Sequence, residues 1–208
     1  MVVLGKVKRN YKKYMAGPTL QLRAKSFGKS EQQKIKTLLN RIAHLEINEA
    51  DKFEFHFKKG KTLGLFLKEV SCLFLMEFST KKEALDALQQ QDFDAKIKDK
   101  PEGFIHISAM CKDTIDHQLL ANFALEINKI VGGLIDLNGA IIPSLQKDKN
   151  GNFIHQTHED YVKFVRSIAG QIHEIRYEIN EDRQFYSHIC DATWLHNWRL
   201  HSEFKLIK

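Results

Sequence analysis

The strongest constraint on this chain is a helix signal that runs straight into an apolar strand. Between Asp113 and Val131, Ile115, Leu119, Leu120, Phe123, Ala124, Ile127, Ile130 and Val131 recur at helical spacing and form one apolar face. Asp113 stands where it can cap the first turn, with Asp116 after it, and Gly132-Gly133 can take the left-handed conformation that stops a helix. Leu134 to Ile142 follows, apolar except for Asp136 and Asn138 at period two. That pattern predicts a core strand whose polar side chains share one surface.

Alternation elsewhere predicts the rest of a sheet. Pro18 to Lys25 reads as a first strand, and Phe53, Phe55 and Phe57 alternate with Glu54, His56 and Lys58 in a half-buried one. A strand across Leu63 to Lys68 follows the turn at Lys59-Gly60, and the nearly continuous apolar run Val70 to Phe78 is the candidate central strand. Ala95–Lys98 and Phe104–Met110 flank Pro101-Glu102-Gly103 as a predicted hairpin; Glu174–Ile179 and Gln184–Cys190 form another. Ser30 with Gln33, and Thr80 with Glu83, are capping-box signatures for helices that bury Ile35, Leu38, Leu39 and Ile42, and Ala84, Leu85 and Leu88. Thr157 caps a helix with Tyr161, Phe164, Val165 and Ile168 inward, and Asp191 caps a last helix carrying Trp194, Leu195 and Trp198. Strand pairs beside single helices predict an α+β fold, a mostly antiparallel sheet flanked by about five helices. The 208 residues read as a single domain, 1–208, with the polar run Gln146–Asn152 as a loop and the one candidate boundary. A loose strand–helix–strand–strand pattern in both halves leaves an internal duplication open.

The net charge of +6 suits nucleic acid, an acidic protein or a membrane surface and selects none of them. Much of the excess lies in Lys6, Lys8, Arg9, Lys12 and Lys13, and the remaining basic residues are dispersed, which argues against nucleic acid. Lys6, Lys8 and Arg9 interrupt any leader-like apolar run, and no segment reaches the roughly 18 apolar residues of a membrane span. Cys72, Cys111 and Cys190 are far apart in sequence and odd in number, and Cys72 sits in an apolar run as a core thiol. The expectation is a reduced, cytoplasmic protein without a membrane partner.

Chemical motifs are sparse. Ile105-His106-Ile107-Ser108 and Ile154-His155-Gln156-Thr157 both carry His-x-Ser/Thr. Two such motifs facing each other would let His106 and His155 act as base and acid, with Ser108 and Thr157 holding phosphate, in a two-histidine phosphoesterase. Half-exposed strand histidines and a helix cap at Thr157 are the plainer reading. His155 and His158 lack a third ligand for zinc, so no metal is expected. The glycines lack the order of a phosphate or dinucleotide loop, so no cofactor is expected either.

Three stretches carry a family resemblance: Ala16-Gly17-Pro18-Thr19, Gly132-Gly133-Leu134-Ile135-Asp136-Leu137-Asn138-Gly139-Ala140, and the ending from Asp191-Ala192-Thr193-Trp194 to Phe204-Lys205-Leu206-Ile207-Lys208. Together they resemble an uncharacterised bacterial family whose members accompany polymorphic-toxin systems as candidate immunity proteins. The resemblance implies a cytoplasmic, non-catalytic inhibitor of one cognate toxin. The basic balance argues against a basic nuclease as that toxin. Partner contact is expected at acidic and aromatic side chains near the second and third stretches: Asp136, Asn138, Trp194 and Trp198.

Overall fold

The computed structural model describes residues 17–80, 85, 87–98, 100–141, 158–180 and 183–206, and of residues 158, 178–180 and 183–185 the backbone alone. In chain order the elements are β1 (Thr19–Ala24), α1 (Lys29–Ile42), β2 (Ala43–Asn48), β3 (Lys52–Phe57), β4 (Gly60–Thr62), β5 (Leu65–Leu67), β6 (Phe74–Ser79), α2 (Ala87–Lys96), β7 (Gly103–Ala109), α3 (Thr114–Val131), β8 (Leu134–Asp136), α4 (His158–Ser167), β9 (Ile172–Asn180), β10 (Arg183–Cys190) and α5 (Ala192–Leu200). Eight strands form one sheet in the order β2-β3-β6-β7-β1-β8-β10-β9, and β4-β5 stand apart as a small hairpin. Every pairing is antiparallel. The fold is α+β, as the strand pairs beside single helices imply.

Local chemistry sets the helix ends. Asp113 accepts the Asp116 N–H at 3.0 Å and caps α3, which stops where Gly132 and Gly133 take φ of 62° and 90°. Asp191 caps α5 by accepting the Trp194 N–H at 2.7 Å. The α1 cap differs from expectation: it is Gly28, whose N–H donates to the Glu31 carboxylate at 3.1 Å. Ser30 therefore lies inside the first turn rather than before it.

Strand alternation sorts the side chains onto two faces. Leu20 and Leu22 of β1, Phe53, Phe55 and Phe57 of β3, Phe74 and Met76 of β6, and Ile105 and Ile107 of β7 face a layer made by α1, α3, α4 and α5. Phe55, Phe57, Phe74 and Phe123 meet there at ring-centroid distances of 4.7 to 5.7 Å, mostly edge to face. On the opposite face Ile175 and Ile189 pack with Phe93 of α2, and Leu134 leans on the same cluster. Thus α2 lies over the β8-β10-β9 end. Among the described residues no helix covers the other end of that face, β2-β3-β6-β7.

Several predicted elements differ. Ala95–Lys98 is no strand: α2 runs to Lys96, and β7 pairs with β1 and β6 instead of with that segment. The first helix ends at Ile42 and the chain passes directly into β2, an edge strand not expected from the sequence. The apolar run from Val70 becomes a strand only at Phe74, between β3 and β7, while Val70 is 55 % exposed. The strand predicted to Ile142 stops at Asp136: Asn138 and Gly139 take φ of 47° and 72°, and Ala140 N–H donates to Leu137 O at 2.7 Å in a tight Asn-Gly turn. The Gln146–Asn152 loop, His155, the Thr157 cap and Glu83 of the second capping box lie outside the described residues. No helix of the described residues is long and apolar enough to cross a membrane.

Candidate functional site

Polar residues on the α2 side of the sheet fall into one line across the strands. Gln21 of β1 stands opposite Asp136 of β8 on one side and His106 of β7 on the other. His106 stands opposite Glu77 of β6, and Glu77 opposite Lys52 of β3. Directly opposed residues on one face lie within about 5.5 Å, so the row is a continuous strip of acid, amide, imidazole, acid and ammonium. Ser187 extends it to β10 by donating its hydroxyl to Asp136 Oδ1 at 2.8 Å.

Burial grades along this row. Gln21 is wholly buried; its Nε2 is 3.5 Å from His106 Nε2, and its Oε1 has no hydrogen-bond partner among the described residues. An orphaned buried carbonyl oxygen is costly and suits a site that receives a donor. His106 is half-buried, and Glu77 and Lys52 meet at 3.8 Å at the exposed end. Here a groove of about 240 Å³ opens, lined by Ile47, Glu54, Leu75, Glu77, His106 and Ser108. Ile47 reaches it because a bulge in β2, between Leu45 and Ile47, turns that side chain away from the core. Beyond α2 a second recess of about 220 Å³ holds Asp136, Asn138, Tyr177 and Ser187.

The geometry tests each expected site residue. Trp194 and Trp198 are both fully buried, which corrects their assignment to a partner surface. Trp194 Nε1 donates to Val165 O at 3.0 Å, and Trp198 lies among Phe164, His201 and Phe204 at 5.4 to 5.8 Å. Their shared helix face points to α3 and α4 because the chain curls back over them at Phe204. Asp136 is also buried, at 7 % exposure, and accepts the Asn138 N–H at 2.9 Å; Asn138 alone of the four is exposed. Asp136 and Asn138 do line one recess, through a turn and not through strand alternation.

His106 and Ser108 both line the groove, while His155 and Thr157 lie outside the described residues. The Ser108 hydroxyl is bonded to the Thr19 hydroxyl at 2.9 Å. Among the described residues no group of His, Cys, Asp and Glu could hold a metal ion. Gln21, Glu77 and Lys52 carried no motif. Their period-two placement between core residues was visible in the sequence, but the register aligning them was not.

Fold and site together define an α+β protein with one large antiparallel sheet, half of one face of which is open and polar among the described residues. The chain belongs to a family of unknown function, DUF6368, which it matches over residues 16–208. No curated protein and no solved structure matches it.

Proposed function

We propose that this chain is a non-catalytic binding protein that neutralises a cognate bacterial toxin in the cytoplasm, using the open half of its sheet as the contact surface. The observation that carries the reading is the row from Gln21 through His106 to Glu77 and Lys52, which ends in an open groove. The motif resemblance to candidate immunity proteins supplies the partner class. Apolar floor residues, Ile47 and Leu75, with a polar rim are what a hot-spot pocket needs. Glu49, Glu54 and Glu77 against Lys52 make the groove locally acidic although the chain carries +6 overall. A toxin of ordinary overall charge that inserts one lysine or arginine fits both facts.

The test is titration of the purified chain against the product of the neighbouring gene. Glu77→Lys reverses the rim charge without touching the core and is expected to weaken binding by about tenfold or more, roughly 1.4 kcal/mol. Unchanged affinity in both Glu77→Lys and His106→Ala, with circular dichroism intact, removes this face as the contact.

The placement of His106 and Ser108 side by side on the groove favours one alternative, the two-histidine phosphoesterase. The same preparation would then hydrolyse a simple phosphodiester such as bis(p-nitrophenyl) phosphate. Turnover abolished by both His106→Ala and His155→Ala would select that reading over the binding one.

A further inference from the structure

Cys72 and Cys111, far apart in sequence, share one register line. β6 and β7 pair with Leu75 opposite Ser108 and Phe74 opposite Ala109, and the ladder continues as the Met110 N–H donates to Leu73 O at 3.0 Å. Carried one residue further, that register sets Cys72 opposite Cys111. Antiparallel pairs alternate, so the position beyond a hydrogen-bonded pair is a non-hydrogen-bonded one, where Cα atoms approach to about 4.5 Å. A disulfide spans Cα separations of roughly 4.4–6.8 Å. Both cysteines are free thiols, and each acts on the other's ionisation.

One carboxylate fixes both segments. Asp116, buried in the first turn of α3, accepts the Cys72 N–H through Oδ1 at 3.3 Å and the Lys112 N–H through Oδ2 at 3.0 Å. Ser71 adds a second tie, accepting the Phe57 N–H and donating to Cys72 O, both at 2.8 Å. The sulfurs differ in access: Cys72 is 5 % exposed, whereas Cys111 is half-buried.

We propose that Cys111 and Cys72 form a peroxide-responsive dithiol, Cys111 the attacking thiolate and Cys72 the resolving thiol, whose oxidation ties the segment before β6 to the segment before α3. In the first step Cys111 Sγ attacks a peroxide oxygen; an S–O bond forms, the O–O bond breaks, and hydroxide leaves to be protonated to water. In the second, Cys72 Sγ gives up its proton and attacks the Cys111 sulfenic sulfur; the S–S bond forms and the S–O bond breaks. That oxygen leaves as a second water. The sulfurs together lose two electrons and hydrogen peroxide gains them.

The surroundings fit these roles. The hydrogen bond from Cys72 holds the Cys111 thiol below the ordinary range; the His117 imidazole lowers it further, and burial and the Asp116 charge oppose. Cys72 is pushed up, first by that same hydrogen bond, then by burial and by Asp116. His117 Nδ1 is buried and has no hydrogen-bond partner among the described residues. Cys190 is wholly enclosed and its thiol is pushed up by burial, so it serves as an internal control.

The experiment uses the full reduced chain and hydrogen peroxide. The expected product lacks two hydrogens, and trypsin without reductant releases the Cys72 and Cys111 peptides joined, with Cys190 still free. Cys72→Ser is expected to stop at a Cys111 sulfenic acid that dimedone traps. At pH 7 iodoacetamide is expected to label Cys111 several-fold faster in the native chain than in urea. His117→Gln is expected to raise the pH midpoint of that labelling while leaving circular dichroism unchanged. A cross-link to Cys190, a persistent Cys111 sulfenic acid in the unaltered chain, or labelling no faster than in urea each overturns the proposal. The labelling comparison needs no substitution, so it holds even where a variant fails to fold.

Discussion

Gly133 marks the point where α3 hands the chain to β8, and two separate constraints meet there. Its φ of +90° is one that side chains rarely adopt, and an added Cβ would sit 2.1 Å from the Arg23 carbonyl oxygen of β1. Gly139 shares the first constraint, at +72°, but nothing lies within 4 Å of the Cβ position. The pair therefore separates conformational strain from collision. Gly139→Ala is expected to cost about 1–2 kcal/mol in urea unfolding, the left-handed term alone. Gly133→Ala is expected to cost about 3 kcal/mol or more, because β1 must also move. Equal losses would mean that the β1 backbone yields. The glycine pair at Gly132-Gly133 announces a helix stop in the sequence; the contact with Arg23 that makes Gly133 the stricter position belongs to the tertiary fold.

Among the elements, α2 depends most on a distant partner. Asp92, 2 % exposed, receives Arg176 Nη2 at 2.6 Å, Arg176 Nε at 3.0 Å and Lys96 Nζ at 2.9 Å. The Arg176 guanidinium holds this carboxyl well below the usual range, helped by Lys96 and the Arg176 N–H against the cost of burial. A depressed carboxylate stabilises the fold fully above its unfolded value near 3.9, and the gain is lost as pH falls below that toward the folded value. Asp92→Asn is thus expected to cost about 2 kcal/mol at pH 7, read as a shifted urea midpoint. At pH 2 the difference from the unaltered chain is expected to shrink; a constant difference would assign the loss to packing. The same dependence explains why the sequence misplaced this region. Caps such as Asp113 and Asp191 are local and could be read directly, whereas Ala95 and Lys96 are helical because Asp92 docks on a strand 84 residues away. Burial of both Trp194 and Trp198 was equally out of reach, since helical spacing shows that they share a face and not which neighbour covers it.

Across the whole molecule, the sheet order joins distant parts of the chain. β1 pairs with β7 and β8, and β8 in turn with β10, so segments on both sides of residues 142–157 share one sheet. Outward from the centre the order is β8-β10-β9 on one side and β1-β7-β6-β3-β2 on the other, so β10 pairs directly with β8 while β7 and β6 separate β3 from β1. A chain ending at Ile141 would leave β8 without β10, and α3 without α5. It is expected to lose the cooperative urea transition; a sharp transition in that fragment would mark two independent folding units. The antiparallel α+β class could be read from strand pairs alone, but the polar row from Asp136 to Lys52 is created by register, which alternation within a strand does not encode.

Among the described residues the sheet has two free margins, β2 and β9, and unpaired margins invite other strands to join them. At β9 the Arg176 N–H that would greet an incoming strand is spent on Asp92 at 2.9 Å, and the Glu174 carbonyl is spent on Lys96 Nζ at 2.7 Å. At β2 the bulge between Leu45 and Ile47 interrupts the regular spacing that a second strand would need. The side chains that dock α2 therefore also occupy backbone groups that a second strand would need at the β9 edge.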